Sequence, residues 1–119
     1  MKLLVAGSRS INEYNLEKYI PDETTMIITG GADGIDSLAE KFADKKRISK
    51  LILRPQYDVY GRAAPLKRNE KLVDICDTAL IIWDGHSKGT KYTINYAKKI
   101  GKEVILITEN MISQDNTNF

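Results

Sequence analysis

Three short turns carry the residue types that hold an anion: Gly7-Ser8-Arg9-Ser10, Gly30-Gly31-Ala32-Asp33-Gly34, and Gly85-His86-Ser87-Lys88-Gly89-Thr90. They follow the apolar runs LLVA, MIIT and ALIIWD. Glycine lets backbone approach a ligand closely, and a helix start presents unpaired N–H groups at the positive end of its dipole. In the third turn Ser87 to Lys91 open a helix, Thr90 adds a hydroxyl, and Lys88 or Lys91 adds a cation, a set suited to a phosphate or polar sugar. Asp84 stands immediately before it and belongs to the same candidate site. The plainer reading is that S-x-G-T and GGADG only cap helices, but a cap requires neither of the vicinal glycines Gly30 and Gly31.

Arg9, Arg62, Arg68 and Lys88 each fall in a loop or first helical turn on the side where the strands end. Converging, they form a phosphate clamp; singly, each is a solvated surface charge. Asn69 lies on an apolar helical stripe, where an amide needs partners from the backbone or a ligand. Lys45-Lys46-Arg47 and Lys98-Lys99 sit at helix C-termini and complement the dipole there. His86 is the sole histidine, so no metal site is expected. Trp83 and Cys76 read as packing residues, whereas Tyr57 and Tyr60 suit either base stacking or rim packing. No cofactor is expected: AGSRS has one glycine where G-x-G-x-x-G is needed, and Gly89-Thr90 lacks the surrounding Walker A loop.

Strands that position these turns are expected at Lys2–Ala6, Thr25–Thr29, Lys50–Leu53, Thr78–Trp83 and Glu103–Thr108. Helices are expected over 12–20, stopped by Pro21; from Ile35, with Leu38, Ala39, Phe42 and Ala43 on one face; from Pro65, with Leu66, Leu72, Val73 and Cys76; and over 90–100, with Gly101 as its stop. Asp33 is the expected cap of the second helix, with Asp36 reciprocating. Residues 54–62 read as a loop. The alternation implies an α/β, doubly wound, Rossmann-like parallel sheet of five strands in order 3-2-1-4-5. Ligand then sits where the order reverses, between strands one and four.

A chain of 119 residues suits one core, here a domain over 1–108 followed by a polar, frayed tail over 109–119. The net charge of +2, from 18 basic and 16 acidic side chains, is too balanced for a nucleic-acid coat protein. No apolar run reaches membrane-spanning length, so no membrane partner is expected. One cysteine and no charged-then-apolar leader point to the cytoplasm.

Taken together, VAGSRS, ITGGADGIDSLAEKFA, GRAAPLKRNEKLV and WDGHSKGTKYTINYAKKIGKEV resemble the SLOG superfamily over residues 1–108. The likeness is greatest to small single-domain members of bacteria and their phages with a G-S-R start, a GGAxGxD turn and an R-N pair. LOG cytokinin-activating phosphoribohydrolases and the DNA-uptake protein DprA are more distant relatives. This resemblance implies a nucleotide-type ligand, a homo-oligomer, and ligand contacts at Gly7, Ser8, Arg9, Gly30, Gly31, Asp33, Asp36, Arg68, Asn69, Gly89 and Thr90. LOG enzymes carry P-G-G-x-G-T-x-x-E, whereas D-G-H-S-K-G-T-K-Y-T puts Thr93, which does not ionise, at the glutamate position. The expectation is therefore a binding protein: a sensor, buffer or sequestering protein, a phage sponge for an immune nucleotide among them. N-glycosidic hydrolysis or transfer through Asp36 or Glu70 is the alternative. Single-stranded nucleic-acid binding through Arg9, Arg54, Arg62, Tyr57 and Tyr60 is weaker.

Overall fold

The computed structural model describes residues 1–108 and 110–112, so the tail expected over 109–119 lies, but for 110–112, outside the described residues. Strands β1 (Lys2–Gly7), β2 (Met26–Thr29), β3 (Ser49–Ile52), β4 (Thr78–Ile82) and β5 (Glu103–Ile107) form one parallel sheet in the expected order β3-β2-β1-β4-β5. Helices α1 (Ile35–Lys46), α2 (Tyr57–Tyr60), α3 (Ala64–Ile75) and α4 (Lys88–Lys99) connect them.

Side chains alternate across each strand and so divide the core in two. Leu3, Val5, Ile27, Leu80, Ile82 and Ile107 pack with Ile35, Ala39 and Ala43 of α1. Leu4, Ile28, Ala79 and Ile81 pack on the other face with Leu72 and Val73 of α3 and Ile94 and Ala97 of α4. Strand β4 is buried along its whole length, which is why TALII is continuously apolar rather than alternating. Strand β3 is an edge and mostly exposed.

Three local expectations are corrected. The helix expected over 12–20 is irregular chain with a single 3₁₀ turn at Glu17–Tyr19. Asn15 explains part of this: its Oδ1 accepts the Glu17 N–H at 3.0 Å, a local side-chain bond that competes with helix in a segment too short to nucleate one. Leu16 is nonetheless buried, and Tyr14, Tyr19 and Ile20 pack on the α1 side of the core. Within the expected loop over 54–62, α2 makes one turn and a 3₁₀ turn at Gly61–Ala63 runs directly into α3. Asp33 does not cap α1. Gly34 takes the N-cap position with φ 74° and ψ −127°, and the Asp36 carboxylate instead accepts the Ala32 N–H at 3.1 Å.

Candidate functional site

A cavity of about 470 Å³ lies at the reversal between β1 and β4, walled by the first turns of α3 and α4. Small-molecule pockets run to roughly 300–1,000 Å³. All three turns contribute: Gly7 at the end of β1 with Arg9 and Ser10 after it, Ala32 after β2, and Ser87, Gly89 and Thr90 at the start of α4. Asp36 of α1 and Arg68 and Asn69 of α3 complete the polar lining. A Cβ on Gly7 would meet Ile82 O and the Ile35 side chain, so only glycine lets β1 pass between them.

The remaining expected contacts sit apart from this lining. Ser8 is fully buried, its Oγ accepting the Asp84 N–H at 3.0 Å. Asp33 borders a separate hollow of about 400 Å³ with Lys41, a hollow that also shares Arg9. Lys88 and Arg62 are exposed outside the cavity. Glu70 also lies outside it, accepting the Tyr92 hydroxyl at 2.7 Å with Lys67 4.0 Å away.

Asp84 shapes the third turn instead of lining the cavity. Its carboxylate accepts the N–H groups of His86 at 2.8 Å and Ser87 at 2.9 Å and the Ser10 hydroxyl at 2.7 Å. Burial opposes its charge, but these amides and the Ser10 and Ser8 hydroxyls win and hold it far below the usual carboxylate range. Two amides of the turn are thus taken by the protein's own anion. The next three are not: Lys91 N–H pairs with Ser87 O at 3.1 Å, and the N–H groups of Lys88, Gly89 and Thr90 have no acceptor among the described residues. Thr90 is 9% exposed, and its hydroxyl likewise has no partner among the described residues.

Across the cavity Arg68 is 8% exposed. Its Nη1 donates to Gly30 O at 2.6 Å and to Leu53 O at 3.4 Å, and its Nε donates to Asn69 Oδ1 at 2.8 Å. Arg68 Nη2 and the Asn69 NH₂ are left without acceptors among the described residues. Burial works against the Arg68 charge, the Asp36 carboxylate supports it, and Arg9 oppose it more weakly along with Arg54. Asp36 is itself pushed up by burial, against the Ala32 amide, the Arg68 charge, the Thr29 hydroxyl and the Gly30 amide. The Thr29 hydroxyl is buried and makes no well-aligned hydrogen bond of its own.

The vicinal glycines have an internal explanation. A Cβ on Gly30 would lie 2.7 Å from Arg68 Nη1 and 3.0 Å from Asp36 Oδ2; on Gly31, whose φ is 71°, it would lie 2.7 Å from Arg54 Nη1. The space that glycine leaves here is filled by arginines, not kept open for a ligand. Thr93, which the resemblance sets at the LOG glutamate position, is buried and its hydroxyl donates to Gly89 O at 3.0 Å. Asp36 is the one carboxylate in the cavity lining among the described residues.

The apolar wall formed by Pro65, Leu66 and Leu72 of α3 is not among the contacts expected from the sequence. The signal was present: Pro65, Asn69 and Leu72 are spaced to share one helical face. Among the described residues no three His, Cys, Asp or Glu side chains gather as a metal site, and no helix is long and apolar enough to cross a membrane. No protein-family model, characterised protein or solved structure matches the chain, which leaves the chemistry of the cavity to be argued from its geometry.

Proposed function

We propose that this chain is a SLOG-type binding protein that holds a nucleotide or nucleotide-derived signal by phosphate and ribose. The observation that carries the reading is the excess of unpaired donors on residues that line one cavity: the amides of Gly89 and Thr90, the Thr90 hydroxyl, Arg68 Nη2 and the Asn69 NH₂. Two helix starts and Arg9 add positive potential, so the complementary ligand is an anion with several acceptor oxygens. Asp36 supplies a carboxylate acceptor, suited to sugar hydroxyls.

Cleavage of an N-glycosidic bond is the less favoured reading. Thr93 cannot act as an acid and its hydroxyl is engaged, Glu70 lies outside the cavity, and Asp36 is already bound by the Ala32 amide. A sensing, buffering or sequestering role in a cytoplasmic setting accords with binding without turnover. Pairing of copies is part of the proposal, and a light-scattering mass equal to the monomer's rejects that part.

Calorimetry across nucleoside phosphates, ADP-ribose forms and cyclic dinucleotides tests the reading. At least one compound is expected to bind, and Thr90→Val is expected to weaken it about tenfold by removing one hydrogen bond to a charged group. Silence across the panel refutes it.

A further inference from the structure

Arg68 walls two cavities: the crevice already described and, on the other side, a hollow of about 80 Å³ shared with Arg54, Gln56, Tyr60 and Lys71. Beside this hollow stands α2, a single helical turn with no buried residue. Tyr57 is 60% exposed, Val59 64% and Tyr60 36%, so these side chains contribute little to the core. The Lys71 ammonium lies 5.4 Å from the Tyr60 ring centroid and already covers that ring. The Tyr57 ring has no ring or cation contact among the described residues.

Around the turn between the two cavities Arg9, Arg54 and Arg68 outnumber the acids Asp33 and Asp36. Arg54 Nη1 donates to Gly31 O at 3.1 Å, which lays the guanidinium across that turn. Arg9, Arg54 and Tyr57 all lie within electrostatic reach of Arg68. Over residues 54–63, Arg54 and Arg62 stand against one acid, Asp58. Exposed aromatic faces interleaved with arginines are what a phosphodiester-linked base requires: the cation meets the phosphate and the ring meets the π-face.

We infer that the crevice continues over the Gly30-Gly31 turn into a second subsite, where Arg54 holds the phosphate and Tyr57 stacks on the base of a second nucleotide unit. This extension rests on the nucleotide reading of the crevice. It makes the favoured ligand a dinucleotide or longer, whereas the crevice alone takes a mononucleotide.

The test is calorimetry of the whole chain against pApA, pGpG, pCpC and pUpU and their four mononucleotides. At least one dinucleotide is expected to bind about tenfold more tightly than its mononucleotide, within the range of one base-aromatic stack. Tyr57→Ala is expected to erase that advantage and leave the mononucleotide affinity within about twofold, and Tyr57→Trp to retain the advantage. Arg54→Gln is expected to reduce it. Equal affinities for both lengths, or an advantage that survives Tyr57→Ala, overturn the second subsite while leaving the mononucleotide reading intact. Silence toward all eight compounds also overturns the second subsite, while the nucleotide reading itself falls only with silence across the wider panel of nucleoside phosphates, ADP-ribose forms and cyclic dinucleotides.

Discussion

Asp84→Asn isolates the charge that shapes the turn before α4. The wild-type carboxylate accepts the His86 and Ser87 amides at 2.8 and 2.9 Å and the Ser10 hydroxyl at 2.7 Å. A hydrogen bond to a charged acceptor is worth about 1.5–3 kcal/mol against about 1 for a neutral one, so neutralising three costs roughly 0.5–1 kcal/mol each after allowing for solvent around a half-exposed side chain. The sum is about 2 kcal/mol, or about 8 °C in Tm for a domain of this size. Direction with pH follows from the lowered carboxyl: its stabilisation is complete above the unfolded value near 3.8 and is lost as the pH falls toward the folded one. Urea denaturation should therefore show a gap of about 2 kcal/mol between wild type and variant at neutral pH, narrowing in acid below about pH 4. A gap below about 0.5 kcal/mol, or one that persists unchanged into acid, refutes the argument that charge holds the turn.

Gly34→Ala places a Cβ against Ser8 O and 2.7 Å from the Arg9 carbonyl carbon at a residue with φ 74°; a loss of about 3 kcal/mol or more is expected in urea, and a loss under about 1 contradicts the packing. Arg68→Ala leaves the buried Asp36 without its cationic neighbour and Gly30 O without its donor, so it should cost about 3–5 kcal/mol. The double variant Arg68→Ala/Asp36→Asn should recover part of that loss, and no recovery would show that the two charges are not coupled. Because burial raises the Asp36 carboxyl, its effect on stability has the opposite sign to that of Asp84: stability falls as the pH rises from about 3.8 through the folded value. Asp36→Asn should flatten that slope between acid and neutral pH, as followed by thermal melts.

The sheet order was readable because each buried strand is a short apolar run and each is followed by a glycine or polar turn. The rule for right-handed crossovers then leaves few arrangements. The first crossover was not readable from its spacing alone. Leu16, Tyr19 and Ile20 recur as in a helix and do reach the core, but the Asn15 side chain draws the backbone into a local turn. At α1 Asp33 is the cap that residue type suggests, but Gly34, whose positive φ no local pattern had singled out, takes the cap position. Gly30 marks a close approach, as expected, yet its occupant is a side chain 38 residues later, which no local pattern specifies. Asp84 was placed in the site by its position beside a turn; the direction of its carboxylate, back into that turn, needed coordinates.

The contacts of Arg68 make the two sides of the crevice mechanically unequal. Its guanidinium closes the carbonyl ends beyond both β2 and β3, so lifting the N-terminal half of α3 would strand a buried cation and open two strand termini at once. On the opposite side Arg9 leads into irregular chain whose next fully buried apolar anchor is Leu16. Under the proposed binding role, adjustment to a ligand's shape would therefore fall to the Arg9 flank, with α3 as the stationary jaw.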